Sequence, residues 1–195
     1  MNRLWFARQD KIRFYVLPFP SAVSTTDQNE EKRCSSPAGD FMALVLNKVV
    51  PDFEAAATSG VQFSPKNYLG KKIVLYFYPK DMTPGCTTES MHFRDNFEAF
   101  EQANAVIFGI SRDNLLSHEK FKEHLELPFD LIADTEEKLC HMFGVVKNKI
   151  MYGKKVKGIE RSTFVIDADG VLRQEWRGIK VAGHVDEVLD VIQKL

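Results

Sequence analysis

The sequence predicts an α/β domain: a mixed central β-sheet flanked by helices on both faces. Three observations lead there. Apolar β-rich runs alternate with segments of helical period, a hairpin pattern and a terminal helix close the chain, and the composition is that of a globular protein. Of 195 residues, 44% are hydrophobic and 27% charged, which suits one domain with a sizeable core.

Residues 1–41 form an N-terminal extension of different character, set off from a domain spanning 42–195. MNRLWFARQDKIRFYVLPFP mixes aromatics with Arg3, Arg8, Lys11 and Arg13, lacks the apolar core of a secretory signal, and permits a transit-peptide reading. SAVSTTDQNEEKRCSSPAGD has neither helical nor strand period and reads as a disordered linker. Compact patterning begins only after Met42, so a start at that methionine is the alternative.

VVPDFEA and VQFS are short extended pieces. IVLYFY (73–78) is a continuous apolar run of the kind that fills a central strand. A helix over 86–102 places Phe93, Phe97 and Phe100 on one stripe. AVIFGIS (105–111) is the next strand. A helix over 114–126 carries Leu115, His118, Phe121 and Leu125 on one face and ends before Pro128. FDLIAD (129–134) is a shorter strand, and TEEKLCHMFG a helix with Thr135 as its N-cap and Gly144 beyond its end. In STFVIDADGVLRQEW two β-rich runs flank Asp169-Gly170, a hairpin turn pair. The last helix, 182–194, carries Val185, Val188, Leu189 and Ile192 on one face.

The 26 basic residues nearly balance 27 acidic ones, which argues against nucleic acid as a main partner. No apolar run approaches the roughly 18 residues of a membrane span. The lysines at 147, 149, 154, 155 and 157 read as a solvated loop. Gly153 and Gly158 lack the Lys and Ser/Thr of a phosphate loop. The three cysteines, Cys34, Cys86 and Cys140, form no C-x-x-C pair, so neither a disulfide framework nor a thiolate metal site is indicated. A reducing, cytoplasmic setting follows, with organellar targeting by residues 1–41 left open. No metal-ligand spacing stands out among the five histidines, and no cofactor is expected.

Cys86 carries the chemistry. It follows the 73–78 strand and opens a helix, where unpaired backbone N–H groups and the positive end of the helix dipole favour a thiolate. Such a sulfur serves acyl transfer, disulfide exchange or peroxide reduction. Acyl transfer needs an imidazole base nearby, and none of the five histidines sits in a strand-end loop suited to that role. Thioredoxin-type exchange wants a cysteine three positions away, where this chain has Thr83. A Thr hydroxyl there suits a peroxide: it can hydrogen-bond thiolate and peroxide oxygen, while Pro79 shields the sulfur. Cleaving O–O places negative charge on the leaving oxygen, which Arg161 at a strand start can stabilise and Glu89 can orient.

Pro79-Lys-Asp-Met-Thr83-Pro-Gly85-Cys86 resembles the peroxiredoxin signature P-x-x-x-T-x-x-C. With FRD, GIERSTFVIDADG and GHVDEVL in order, the chain from about residue 45 to 195 is similar to the bacterioferritin-comigratory or Q-type subfamily. The resemblance implies a thioredoxin-like fold and a peroxidase acting on hydrogen peroxide and organic hydroperoxides. It implies that Cys86 is the peroxidatic cysteine, that Thr83 and Pro79 shape its pocket with Gly85 and Glu89 in support, and that Arg161 stabilises thiolate and transition state. Many members carry a resolving cysteine on the same helix, at the position of Met91 here. Cys140, among apolar neighbours, reads as structural, and Cys34 as incidental, although both are candidate resolvers. A one-cysteine cycle with an external thiol, whether glutathione, glutaredoxin or thioredoxin, is therefore expected, in a monomer or dimer. A redox-sensing or chaperone-like binding module using the same cysteine is the alternative.

Overall fold

The computed structural model describes residues 44–151 and 154–195. The expectations for residues 1–41, Cys34 included, and for Gly153 lie outside the described residues.

The core is a five-stranded sheet in the order β5-β4-β3-β8-β9. Its strands are β3 (Lys72–Phe77), β4 (Ala105–Ser111), β5 (Asp130–Ala133), β8 (Ser162–Ile166) and β9 (Leu172–Arg177). β3, β4 and β5 run parallel, while β8 pairs antiparallel with both β3 and β9. Ahead of the sheet, β1 (Ala55–Ala56) and β2 (Gln62–Phe63) form a minimal hairpin, shorter than the extended pieces expected.

β3 is central because its side chains are apolar on both faces. Ile73, Leu75 and Phe77 join one buried cluster, with Phe108, Ile110, Ile132 and Phe164. Val74, Tyr76 and Tyr78 join the other, with Ile107, Leu131 and Val165. The second face is covered by α1 (Pro84–Asp95), α2 (Phe97–Gln102), α3 (Leu115–Leu125) and α5 (His184–Lys194), through Phe93, Phe100, Phe121, Val188 and Ile192. The first face is covered by α4 (Lys138–Met142) and the β1–β2 segment, through Leu139, Phe143 and Phe63.

Four expectations need correction. The single helix over 86–102 is two, α1 and α2, because the chain leaves helical geometry at Asn96 (φ −102°, ψ 7°), whose side-chain amide donates to His92 O at 2.9 Å. α4 begins at Lys138, not at Thr135: Glu137 takes a left-handed conformation (φ 57°) immediately before it. Leu115, the first residue of α3, is exposed, whereas His118, Phe121 and Leu125 are buried. The lysine-rich run is not a loop. It forms the antiparallel hairpin β6 (Val146–Met151) and β7 (Lys154–Ile159), whose sparse apolar residues hid its strand period.

Asn114 caps α3 by accepting from Ser117 N–H at 2.9 Å. Gly144 (φ 63°) and Gly170 (φ 77°) supply the left-handed positions after α4 and in the β8–β9 turn. In that turn Asp167 accepts from the amides of Asp169 (3.0 Å) and Val171 (2.9 Å). No helix among the described residues is long and apolar enough to cross a membrane.

Candidate active site

The site lies at the C-terminal end of β3, where the parallel strands hand over to helices. Residues Tyr78 to Thr83 form an irregular turn, and α1 then begins with Pro84 at its first position. Proline suits that place because it has no N–H to leave unpaired. Cys86 is thus in the first turn of α1, slightly inside the helix start that the sequence indicated. Its own amide and that of Gly85 precede the first intrahelical bond, Thr87 N–H to Thr83 O at 2.9 Å.

Arg161 arrives from the other side of β3. Phe77 pairs with Ser162 across the antiparallel β3–β8 ladder, so Arg161 sits just beyond the strand opposite the departing turn. Its Nη2 donates to Cys86 Sγ at 3.3 Å, and its Nη1 is ion-paired with Glu89 Oε2. Ile179 N–H holds the Arg161 carbonyl at 3.1 Å. Gly85 allows this approach, because a Cβ there would stand 3.3 Å from Nη2.

Cys86 and Glu89 are each only 1% exposed. Burial pushes the Glu89 carboxyl up to about 7, against the attraction of Arg161. Its Oε1 is buried with no hydrogen-bond partner among the described residues. Burial also works against the Arg161 charge, but Glu89 and Cys86 outweigh it and raise the guanidinium pKa. His184 packs nearby, its Nε2 2.8 Å from Thr163 Oγ1 and its ring edge-on to Trp176. Burial, with help from the Arg161 charge, lowers His184 to about 4, so it is neutral at neutral pH.

The structure brings Cys86, Glu89, Arg161 and Gly85 into one cluster. Pro79 lies half-buried in the turn. Thr83 is the N-cap residue, yet its hydroxyl donates to Lys80 O at 2.9 Å, which leaves its lone pairs for a donor such as a peroxide O–H. Cys140 is not part of the cluster. It is fully buried on the opposite face of the sheet, where burial and Asp134 raise its thiol pKa. Met91 is partly buried against the Cys86 face.

Sequence reasoning passed over Asp81 and His118. Asp81 is 4% exposed and His118 0%. The imidazole Nδ1 lies 3.1 and 3.0 Å from the two Asp81 oxygens, just under the turn that carries Thr83. An acidic residue in a strand-end turn and a histidine on an apolar helix face were the available signals.

A thiol sulfur with a guanidinium bonded to it, at the start of a helix, is an arrangement that can attack a small polarised bond. Comparison with known proteins shows what the whole chain is similar to. Residues 46–175 match the AhpC/TSA family model. Peroxiredoxin Bcp of Bacillus subtilis is 49% identical over 154 residues, which covers 79% of this chain and 98% of that protein. Among solved structures, a mutant of Xylella fastidiosa PrxQ superposes with a TM-score of 0.73 at 36% identity, covering 77% of this chain and 96% of that one. The Xanthomonas campestris bacterioferritin comigratory protein, studied for its alkyl peroxide reduction activity, superposes with a TM-score of 0.70 at 44% identity, covering 73% and 90%.

Proposed function

The chain belongs to the AhpC/TSA family, among the Bcp/PrxQ peroxiredoxins, and is a thiol-dependent peroxidase; from that premise we propose that Cys86 is the sulfur that attacks the peroxide and that an external thiol restores it. The 3.3 Å bond from Arg161 Nη2 to Cys86 Sγ carries this reading, because it sets a permanent cation beside the sulfur and the leaving oxygen.

The Cys86 thiolate attacks one oxygen of ROOH. An S–O bond forms as O–O breaks, the leaving RO⁻ takes a proton and departs as water or alcohol, and Cys86 is left as sulfenic acid. Arg161 spreads its donors between the sulfur and the developing alkoxide. The Thr83 hydroxyl accepts from the peroxide O–H, and Pro79 helps keep bulk water from the sulfur. An external thiol then attacks Cys86 sulfur and releases water as a mixed disulfide forms. A second thiol frees Cys86 as the reductant becomes a disulfide.

Glutathione, glutaredoxin and thioredoxin all supply that chemistry. The burial of Cys86 favours a small thiol, or an opening of the turn before a protein reductant enters. A cytoplasmic setting suits the unpaired Cys86 and Cys140. Cys86→Ser should abolish hydroperoxide consumption in the presence of thiol. Retained turnover by that variant would reject the assignment.

A further inference from the structure

We propose that His118 is a positioning residue for the peroxide site, acting through Asp81 on the turn that carries Thr83. This rests on the peroxidase reading of Cys86 and extends it to a side chain on a different helix.

The turn is tied at its ends, by Tyr78 N–H to Ile110 O on β4 at 3.0 Å and by Thr87 N–H to Thr83 O at 2.9 Å, and between them it contains a strained position. Met82 has φ 58°, left-handed for a long side chain, and its side chain is 51% exposed, so packing does not repay the strain. The restraint on the middle of the turn comes from Asp81. Its carboxylate accepts from Tyr78 Oη at 2.8 Å and from Ser117 Oγ at 2.6 Å, and meets His118 Nδ1 at 3.0 and 3.1 Å. Burial pushes that carboxyl up, but the bonds from His118, Ser117 and Tyr78 prevail and hold it below its ordinary range. The Asp81 amide is held as well, donating to Asp113 Oδ2 at 2.8 Å, and Asp113 is itself bonded by Ser111 Oγ at 2.9 Å.

His118 makes this more than a local turn. Its Nε2 lies 3.1 Å from Ile132 O on β5, so one fully buried ring joins the sheet to the turn. Lys80, next to Asp81, offers the carbonyl that accepts the Thr83 hydroxyl hydrogen bond at 2.9 Å. Moving Asp81 therefore turns the Thr83 lone pairs and shifts the helix start on which Cys86 sits. A buried imidazole–carboxylate pair is an expensive way to fill a core, and apolar side chains of similar size often stabilise as well. Fixing an attack geometry, where displacements of about 1 Å cost orders of magnitude in rate, is a task such side chains cannot perform.

Two variants separate positioning from packing. In His118→Gln the amide mimics Nε2 and keeps a donor for Ile132 O but loses Asp81; in His118→Asn it mimics Nδ1 and keeps Asp81 but loses Ile132 O. Each full-length protein is mixed with one equivalent of hydrogen peroxide, quenched with dimedone at set times, and weighed by mass spectrometry, below the melting temperature measured for that variant. His118→Gln should form the Cys86 sulfenic acid about tenfold more slowly than the parent, and His118→Asn within about threefold of it. Equal rates for the two variants, or a parent-like rate for His118→Gln, would overturn the proposal. Should either variant not fold, Ser117→Ala, at a partly exposed position, removes another Asp81 bond and should slow the same step about threefold; an unchanged rate overturns the proposal. Cys86→Ser, run alongside, tests the underlying reading alone, since peroxide-dependent dimedone labelling in that variant would reject Cys86 whatever the His118 variants do.

Discussion

Gly85 shows how a missing side chain can serve a reaction. A Cβ there would stand 3.3 Å from Arg161 Nη2, tight enough to move the guanidinium by a few tenths of an ångström from the sulfur it bonds. The backbone loses nothing, because Ala is the better helix former by as much as about 1 kcal/mol. Gly85→Ala should therefore keep or raise the melting temperature while slowing Cys86 oxidation severalfold in stopped-flow mixing with peroxide. A parent-like rate would show that Arg161 tolerates the displacement. Glu89 makes a second prediction. Its carboxyl is raised to about 7 in the folded protein against an ordinary 4.5, so the stability linked to its proton is complete below pH 4.5 and lost as pH rises to about 7. The loss is at most about 3 kcal/mol. His184, lowered to about 4 from 6.5, acts in the opposite sense: its contribution is present above pH 6.5 and lost as pH falls toward 4. Subtracting urea-unfolding free energies of the parent from those of Glu89→Gln cancels His184. The difference should move in favour of Gln between pH 4.5 and 7, and a flat difference would mean that Glu89 ionises normally.

At the scale of elements, the strands under α1 are packed so closely that the site inherits their tolerances. Tyr76 on β3 pairs with Gly109 on β4, and a Cβ at Gly109 would fall 2.6 Å from the tyrosine ring and 2.8 Å from Leu131 Cδ2. The ring has nowhere to go. Its hydroxyl lies 3.0 Å from Ser90 Oγ on α1, and it stacks on Phe93 at 4.6 Å. Gly109→Ala should lower stability by about 1–3 kcal/mol, seen as a lower urea midpoint with little change in slope. An unchanged midpoint would show that Tyr76 and α1 can shift together. The strands of the central sheet, α3 and α5 were legible because their runs and periods of apolar residues are strong. The β6–β7 hairpin was not, because its strands are dominated by lysine and carry little apolar alternation. The break at Asn96 was hidden too, since Phe93, Phe97 and Phe100 keep helical spacing across it.

For the whole molecule, the decisive fact is that the sheet has two faces. Cys86 belongs to one buried cluster and Cys140 to the other, so a disulfide between them would require rearrangement of the helices that carry them. Cys140→Ser should accordingly leave hydroperoxide turnover with an external thiol within about twofold of the parent, any larger drop being matched by lost stability. Intact-protein mass spectrometry of the parent after one equivalent of peroxide should show a dimedone-trapped sulfenic acid. A loss of two hydrogens, with loss of turnover in folded Cys140→Ser, would establish an internal resolver.

Pro79, Thr83, Gly85, Cys86 and Glu89 lie within one short segment, and residue type and spacing singled them out as candidates around a reactive sulfur. A strand leading into a helix start is a local device, and its chemistry is written locally. Arg161 came from its own motif, but its contact with the sulfur follows from the Phe77–Ser162 register. The pairing of Asp81 with His118 and the separation of Cys140 from Cys86 emerged only on folding. Both depend on which strands are neighbours and on which face each side chain points to. A face alternates with every residue along a strand, and neighbours are chosen by the packing of the complete sheet.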